Sequence, residues 1–539
     1  MEISTIIAIS LIAIVVLLAI IAYKMLWTVA KPQIEHRVSE VGLTENEKAA
    51  NGPLPGDVSL YETELQASAA LPTPGYYPTL GGAEIADAQR SGVFPTATFT
   101  GSFDGPNQVF AWRSEDDYQA CTFIVNRKPG ELYIVGGDNP PLKGTIPPGP
   151  YVAKADATTG KQIWRTYVDN ANASNRWIGA ANLNILDNGQ IAFAWSNQIV
   201  LIDGDSGLVL RQNTLPTGDA DPADVNFKHL TVAPDRTLIL KDQTRPTGNK
   251  GQGTMAIIQG VNHGLKQPNS HLVAVHPDTL EILAELPLPE PATVPHSIAM
   301  FEGRIAAYIG MDSGCRRAFW DPDAKKLSMD DTWHMQPIQE GQTTADAPSI
   351  LGDWIVLQTN GLGSKVKASS VAVAHVKDAN RMQIIFPFGE LEKGGWSFAP
   401  PKACTDAENS MIYSADMGMG KVAGIKFDQF TGELKLTFVL DNMSTTFQPT
   451  YGPKDKRVLV LTNMKKNLKH EPTILALGTA NYTEQVTWHD SLTGRKLAES
   501  SFFEPLTINS LVAPGFGGRV YFPTARGFIT LQVMPAAAT

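Results

Sequence analysis

Cysteine is scarce in this chain, with 3 in 539 residues. Cys121, Cys315 and Cys404 are an odd number without paired spacing, so the sequence implies neither a disulfide framework nor a Cys-x-x-Cys-His haem attachment. Buried free thiols are the expectation. The 10 histidines stand singly, and without a His-Glu-x-x-His pair the signature of a zinc centre is missing. Neither a Gly-x-Ser-x-Gly elbow nor a P-loop occurs. The nearest phosphate-like string, Gly248-Asn249-Lys250-Gly251-Gln252-Gly253, does not join a strand to a helix and reads as a loop. Basic residues are in deficit as well: 44 Lys and Arg face 54 Asp and Glu, for a net charge of -10. Nucleic-acid affinity rests on clustered Lys and Arg, which excludes nucleic acid as a partner.

What the chain does have begins at its first residues. From Ile3 to Ala22 there is no charge, and the run is long enough to cross a hydrocarbon core as a helix. A transmembrane anchor over residues 1–30 is expected, meeting the lipid bilayer through residues 3–22, with Tyr23 and Trp27 at headgroup depth. Glu2 stands where a cleaved signal peptide carries its basic start. Lys24, Lys31 and Arg37 follow the run, and the positive-inside rule alone would leave the remainder in the cytoplasm. Residues 31–100, broken by Pro53, Pro55, Pro72, Pro74 and Pro78, read as an extended Pro-rich arm, either a spacer or a strap on a partner.

Residues 101–539 carry a repeat. An alternating apolar run, a polar turn and a second alternating run recur, most clearly in Tyr151–Val168, Ile199–Leu215, Val422–Leu440 and Gln485–Phe502. Asp156, Asp203, Asp428 and Asp490 open the four clearest turns, and Gly160, Gly207, Gly432 and Gly494 close them. An Asp there can accept from the backbone two residues on, and Gly can take positive φ. Weaker turns start at His276, Asp321 and Val376. Turns spaced roughly 45 to 75 residues apart leave room for four strands per unit, the size of a propeller blade. The fold class is therefore all-β: an eight-bladed β-propeller, alternatively seven-bladed, preceded by one transmembrane helix and a linker. The chain ends on three strands, Ile508–Ala513, Arg519–Pro523 and Phe528–Val533. This set needs a fourth from within Thr98–Arg113 to close the ring.

The phrase Ala155-Asp156-Ala157-Thr158-Thr159-Gly160-Lys161-Gln162-Ile163-Trp164 resembles the repeat of the quinoprotein-like, or PQQ-like, β-propellers, Ala-x-Asp-x-x-Thr-Gly-x-x-x-Trp. The resemblance implies that Trp164 docks between blades; the second copy has Arg211 at that position. Members include periplasmic quinone-dependent dehydrogenases and non-enzymatic propellers that assist membrane-complex assembly, so the likeness implies an extracytoplasmic, periplasmic ring. The enzymes place a vicinal cysteine pair beside PQQ and hold calcium with Glu, Asn and Asp; this chain has no Cys-Cys pair. The resulting expectation is a membrane-anchored, non-catalytic scaffold, interaction or assembly subunit of a membrane protein complex, with no catalytic residue, metal or cofactor. The alternative is a diverged quinoprotein-type oxidoreductase holding PQQ and calcium in the funnel.

Three insertions break the rhythm: Gly137–Gly149, Gln243–Ser270 and Asn360–Ser369. Propellers display function on loops, which makes these the candidate binding face. Lys250, His263 and Lys266 are its candidate contacts to an acidic partner, with Trp354 and Trp396 nearby. The adjacent carboxylates Asp116 with Asp117, and Asp330 with Asp331, point to opposite faces of a strand, so sequence adjacency does not make either a catalytic pair.

Overall fold

A computed structural model describes residues 52–536 apart from 138–148, 169–176, 178–181, 250, 252–256, 258–259, 261–262, 345–346, 362–366, 392–394, 400–401, 467–481 and 507–510. The run Ile3–Ala22 lies outside the described residues. Among the described residues no helix is long and apolar enough to cross a membrane.

The alternating runs fold into eight sheets. Blade 1 runs from strand Phe123–Asn126 to strand Gln162–Tyr167, blade 2 from Asn182–Ile185 to Val209–Thr214, and blade 3 from Val225–Val232 to Ile282–Pro287. Blade 4 spans His296–Phe301 to Lys326–Met335, blade 5 Thr343–Thr344 to Asp378–Ile385, blade 6 Cys404–Asp406 to Leu434–Asp441, and blade 7 Thr450–Tyr451 to Lys496–Glu499. Blade 8 combines the C-terminal strands Ala513–Gly515, Arg519–Thr524 and Gly527–Pro535 with Asn107–Arg113, which pairs antiparallel along Gly527–Pro535. The ring is closed by a strand from its own beginning, inside the expected window. The first strand of the terminal triplet sits a few residues later than the sequence pattern placed it. Inner strands of neighbouring blades touch, as Val225–Val232 does both Asn182–Ile185 and His296–Phe301, and form the inner wall. Apolar side chains from facing sheets fill the spaces between blades, as with Val200 and Tyr133, or Leu240 and Leu201.

In blades 1 to 7 the outermost strand carries a register shift against its neighbour; Lys154/Ala155 and Gly424/Ile425 mark two of them. A bulge twists an exposed edge away from pairing with another chain. The closing strand of blade 8 shows none: Asn107 to Arg113 keep an unbroken register with Pro535 to Ile529.

Residues 52–106 belong to this ring. Asp57 donates its amide to Gly517 O at 2.9 Å, and helix α1 (Tyr61–Ala69) lies beside the first turn of blade 8. The chain then runs along the inner wall past blades 2, 4, 5, 6 and 7 before leaving to form the outer strand of blade 8. Of the arm expected at 31–100, the described part is thus a strap, and what it straps is its own propeller.

Candidate functional site

Each inner strand has no sheet neighbour on its axial side, so one row of N–H and C=O groups faces the channel and needs partners. The strap supplies them with backbone carbonyls. Gly81 O accepts from Asn126 N at 3.0 Å, Gly82 O from Ile185 N at 2.8 Å, and Ala88 O from Ile298 N at 2.7 Å. Gln89 O accepts from Ile350 N at 3.3 Å, Ser91 O from Thr405 N at 2.8 Å, and Gly92 O from Thr450 N at 3.0 Å. Val93–Phe94 then pair parallel with Thr450–Tyr451. The remaining two blades are met by side chains: Tyr76 Oη accepts from Val232 N at 2.8 Å in blade 3, and Glu64 Oε2 from Gly517 N at 2.7 Å in blade 8. Following a curved wall demands unusual backbone. Ile85 (φ 57), Ala86 (φ 73) and Arg90 (φ 53) sit in the left-handed region, which is strained for residues with a Cβ and persists only where surroundings over-determine it.

Arg90 is the centre of the strap and 2% exposed. Its Nε donates to His296 O at 2.7 Å, Nη1 to Glu84 Oε2 at 2.9 Å and Nη2 to Thr231 Oγ1 at 3.3 Å, so one guanidinium ties blades 3 and 4 to the strap. Its carbonyl accepts from Lys402 Nζ, which also donates to Ser349 Oγ at 2.9 Å, joining blade 5 to the loop before blade 6. Lys241 Nζ donates to Asp242 O at 2.6 Å and to Ala292 O. Among the described residues neither nitrogen of the buried His296 ring has a hydrogen-bond partner. Burial first, and then the Arg90 and Lys241 charges, hold it neutral, well below the usual imidazole pKa. Beside the strap a cavity of about 20 Å³ is lined by Gly81, Ala83, Glu84, Phe94, Phe447 and Leu511. That is room for about one water. A cavity of this size does not hold a quinone-sized cofactor. Among the described residues no three His, Cys, Asp or Glu side chains converge as metal ligands.

The repeat turns lie at the joints between blades. Asp156 Oδ1 accepts from Thr158 N at 3.0 Å and Thr159 N at 2.8 Å; Asp203 Oδ1 accepts from Asp205 N at 3.2 Å and Ser206 N at 2.7 Å. Asp428 Oδ1 accepts from Phe430 N at 2.8 Å, and Asp490 Oδ1 from Thr493 N at 2.9 Å. The Ser206 hydroxyl holds the Asp203 carboxyl below its ordinary pKa, and the Phe430 amide does the same for Asp428. The closing glycines have φ of 71° at Gly160, 75° at Gly207, 83° at Gly432 and 73° at Gly494. An aromatic ring from the preceding blade rests on three of them: Trp164 on Gly207, Trp354 on Gly432 and Phe438 on Gly494. Trp164 Nε1 donates to Asp205 O at 3.0 Å and Trp354 Nε1 to Gln429 O at 2.8 Å, so each Trp staples its blade to the next turn.

The three insertions all join a second strand to a third, in blades 1, 3 and 5, and the strand ends they connect lie on the side of the ring opposite the repeat turns. His263 and Lys266 are exposed there, and Lys250 lies outside the described residues. Trp396 is half-buried and stacks on Phe398, while Trp354 belongs to the blade 5–6 staple. The carboxylate pairs serve structure: Asp116 Oδ2 accepts from Gln162 N at 2.6 Å, and Asp330 pairs with Arg317 at 2.6 Å. All three cysteines are buried. Sequence reasoning passed over Glu64, Tyr76, Glu84, Arg90, His296 and Lys402. One signal was present: Arg90 is the single Lys or Arg between Lys48 and Arg113.

No protein-family profile matches the chain, and no curated protein sequence does. Solved structures do match. The quinohemoprotein alcohol dehydrogenase of Comamonas testosteroni superposes with a TM-score of 0.50 at 11% identity, over 89% of this chain and 85% of that one. BamB of Moraxella catarrhalis gives 0.43 at 13%, over 80% and 98%, and Sqt1 of Saccharomyces cerevisiae gives 0.47 at 10%, over 80% and 100%. The chain has an eight-bladed β-propeller fold, and its likeness to the Comamonas enzyme is one of fold alone.

Proposed function

We propose that this chain is a non-catalytic β-propeller that serves as an interaction or assembly subunit of a membrane protein complex, held to the bilayer by Ile3–Ala22. One observation carries the non-catalytic part: the strap lines the inner wall of the ring. A ring of this kind can offer a small ligand its central funnel, and here the chain's own carbonyls are bonded to the inner strands of six blades around that axis. The insertions on alternate blades, and the outer strands whose bulges deter edge pairing, leave protein surface as the working part. The hydrophobic run supports attachment to a membrane, and the resemblance to periplasmic propellers supports an extracytoplasmic ring.

The test uses the full chain in mild detergent. Its absorption spectrum is recorded, and its unfolding temperature is measured with and without PQQ and calcium. A ligand bound at a hundred times its Kd would add about 2.7 kcal/mol and raise the midpoint visibly. No shift and no chromophore are expected, together with defined membrane proteins in native mass spectra of the extract. A shift of several degrees, or a bound quinone, would establish the oxidoreductase reading instead.

A further inference from the structure

The two sides of the ring differ, and the side with the repeat turns carries a local asymmetry. In blades 1 and 2 the third residue of the turn is polar, Thr158 and Asp205; in blades 6 and 7 it is Phe430 and Leu492. Phe430 is 90% exposed and Leu492 45%, at equivalent tips of neighbouring blades. Single exposed apolar residues are ordinary, whereas two at the same turn position of adjacent blades form a pair of prongs. The next blade, blade 8, is where the strap begins: Asp57 bonds Gly517 in its first turn, and Val58 beside it is 62% exposed. Blades 6, 7 and 8 therefore present Phe430, Leu492 and Val58 in succession on one side. Between them stand exposed Lys454 and Lys456, flanking Asp455, and exposed Arg495. Long cations beside apolar tips suit the boundary between headgroups and acyl chains, where rings and aliphatic tips bury shallowly and Lys and Arg reach the phosphates.

We infer that the turn side of blades 6 to 8 docks on a lipid surface, with Phe430 and Leu492 entering the interface and Lys454, Lys456 and Arg495 meeting phosphate. The chain's own course supports this occupant over a protein one. Residue 52 joins the ring on this side, and the uncharged run Ile3–Ala22 lies upstream of it in the sequence, so the chain coming from that run enters the ring at the edge that carries the apolar prongs. The inference rests on the membrane-anchoring reading of that run. It also sets the insertions of blades 1, 3 and 5 on the side facing away from lipid.

The experiment uses the full chain reconstituted in protein-free vesicles of phosphatidylcholine and phosphatidylglycerol. The native thiols are buried, so Phe430→Cys, Leu492→Cys and the opposite-side control Arg526→Cys can each be labelled with a polarity-sensitive dye. A blue shift on vesicle binding, with loss of emission when brominated lipid is included, is expected at positions 430 and 492 and not at 526. Water-like emission at 430 and 492 in a chain that floats with the vesicles overturns the docking surface while leaving the anchor intact. A chain that fails to float overturns the anchoring reading and this inference with it. A shift that appears only when membrane proteins are added assigns the prongs to a protein partner and overturns the lipid assignment.

Discussion

The inner and outer edges of the eight sheets face the same physical problem and meet it differently. An edge strand displays unpaired backbone groups that attract other strands. On the outside, seven blades blunt the edge with a bulge and leave it solvated. Inside, the edge is covered and not bent. There the chain lays down a strap whose carbonyls match the inner N–H groups. The outer edge is thus protected by local distortion within each repeat, and the inner edge by a segment that is no part of the repeat.

Deleting residues 52–97 should have the largest effect. It leaves inner amides without acceptors, each at a cost of about 1–3 kcal/mol, and the ring should not yield soluble, cooperatively unfolding protein. Removal of residues 1–51 should leave the unfolding transition of the ring in place. Next in size is Arg90→Ala, which removes three side-chain hydrogen bonds at once and leaves the Glu84 carboxylate with Asn182 Nδ2 as a remaining partner; it should lose about 3–5 kcal/mol in denaturant unfolding. At the turns, Gly432→Ala meets both a φ of 83° and the Trp354 ring, with Cζ3 at 2.7 Å from the new Cβ. It should cost about 2–3 kcal/mol, against about 1 kcal/mol for Gly264→Ala, where φ is 75° in open space.

The smallest effect is a pH dependence on the inner side. The His296 pKa is depressed in the fold by burial and by the cations beside it. Below about 6.5 the unfolded chain therefore binds a proton that the fold does not, and stability falls by up to about 1.4 kcal/mol per pH unit. His271, raised by the Asp242 carboxylate 3.6 Å from its Nδ1, works in the opposite sense and is unchanged in a His296 variant. Denaturant midpoints at pH 7.5 and 5.5 should show a smaller acid loss for His296→Gln than for the parent.

Most of the ring was legible because its repeat is written in side chains: alternation for strands, Asp and Gly for turns, and a missing fourth strand that pointed to residues 98–113. Blade 8 has no such turn because its outermost strand comes from the other end of the chain, which is why seven turns accompany eight blades. The strap was not legible for the opposite reason. Gly81, Gly82, Ala88, Gln89, Ser91 and Gly92 act through main-chain carbonyls, which any residue possesses, and a segment following a circular wall has no helical or strand period. Its Pro and Gly content reads as a linker, although the same residues permit close approach and reversed φ. Arg90, isolated among neutral and acidic residues, was the one side chain that marked it.

Amide hydrogen exchange on the inner strands tests the central claim most directly. If the strap seals the axial edge, peptides carrying Ile185, Ile298, Ile350, Thr405 and Thr450 should exchange as slowly as the middle strands of their blades, with free energies near that of global unfolding. Exchange of those amides at the rate of exposed loops, in a folded chain, would contradict it.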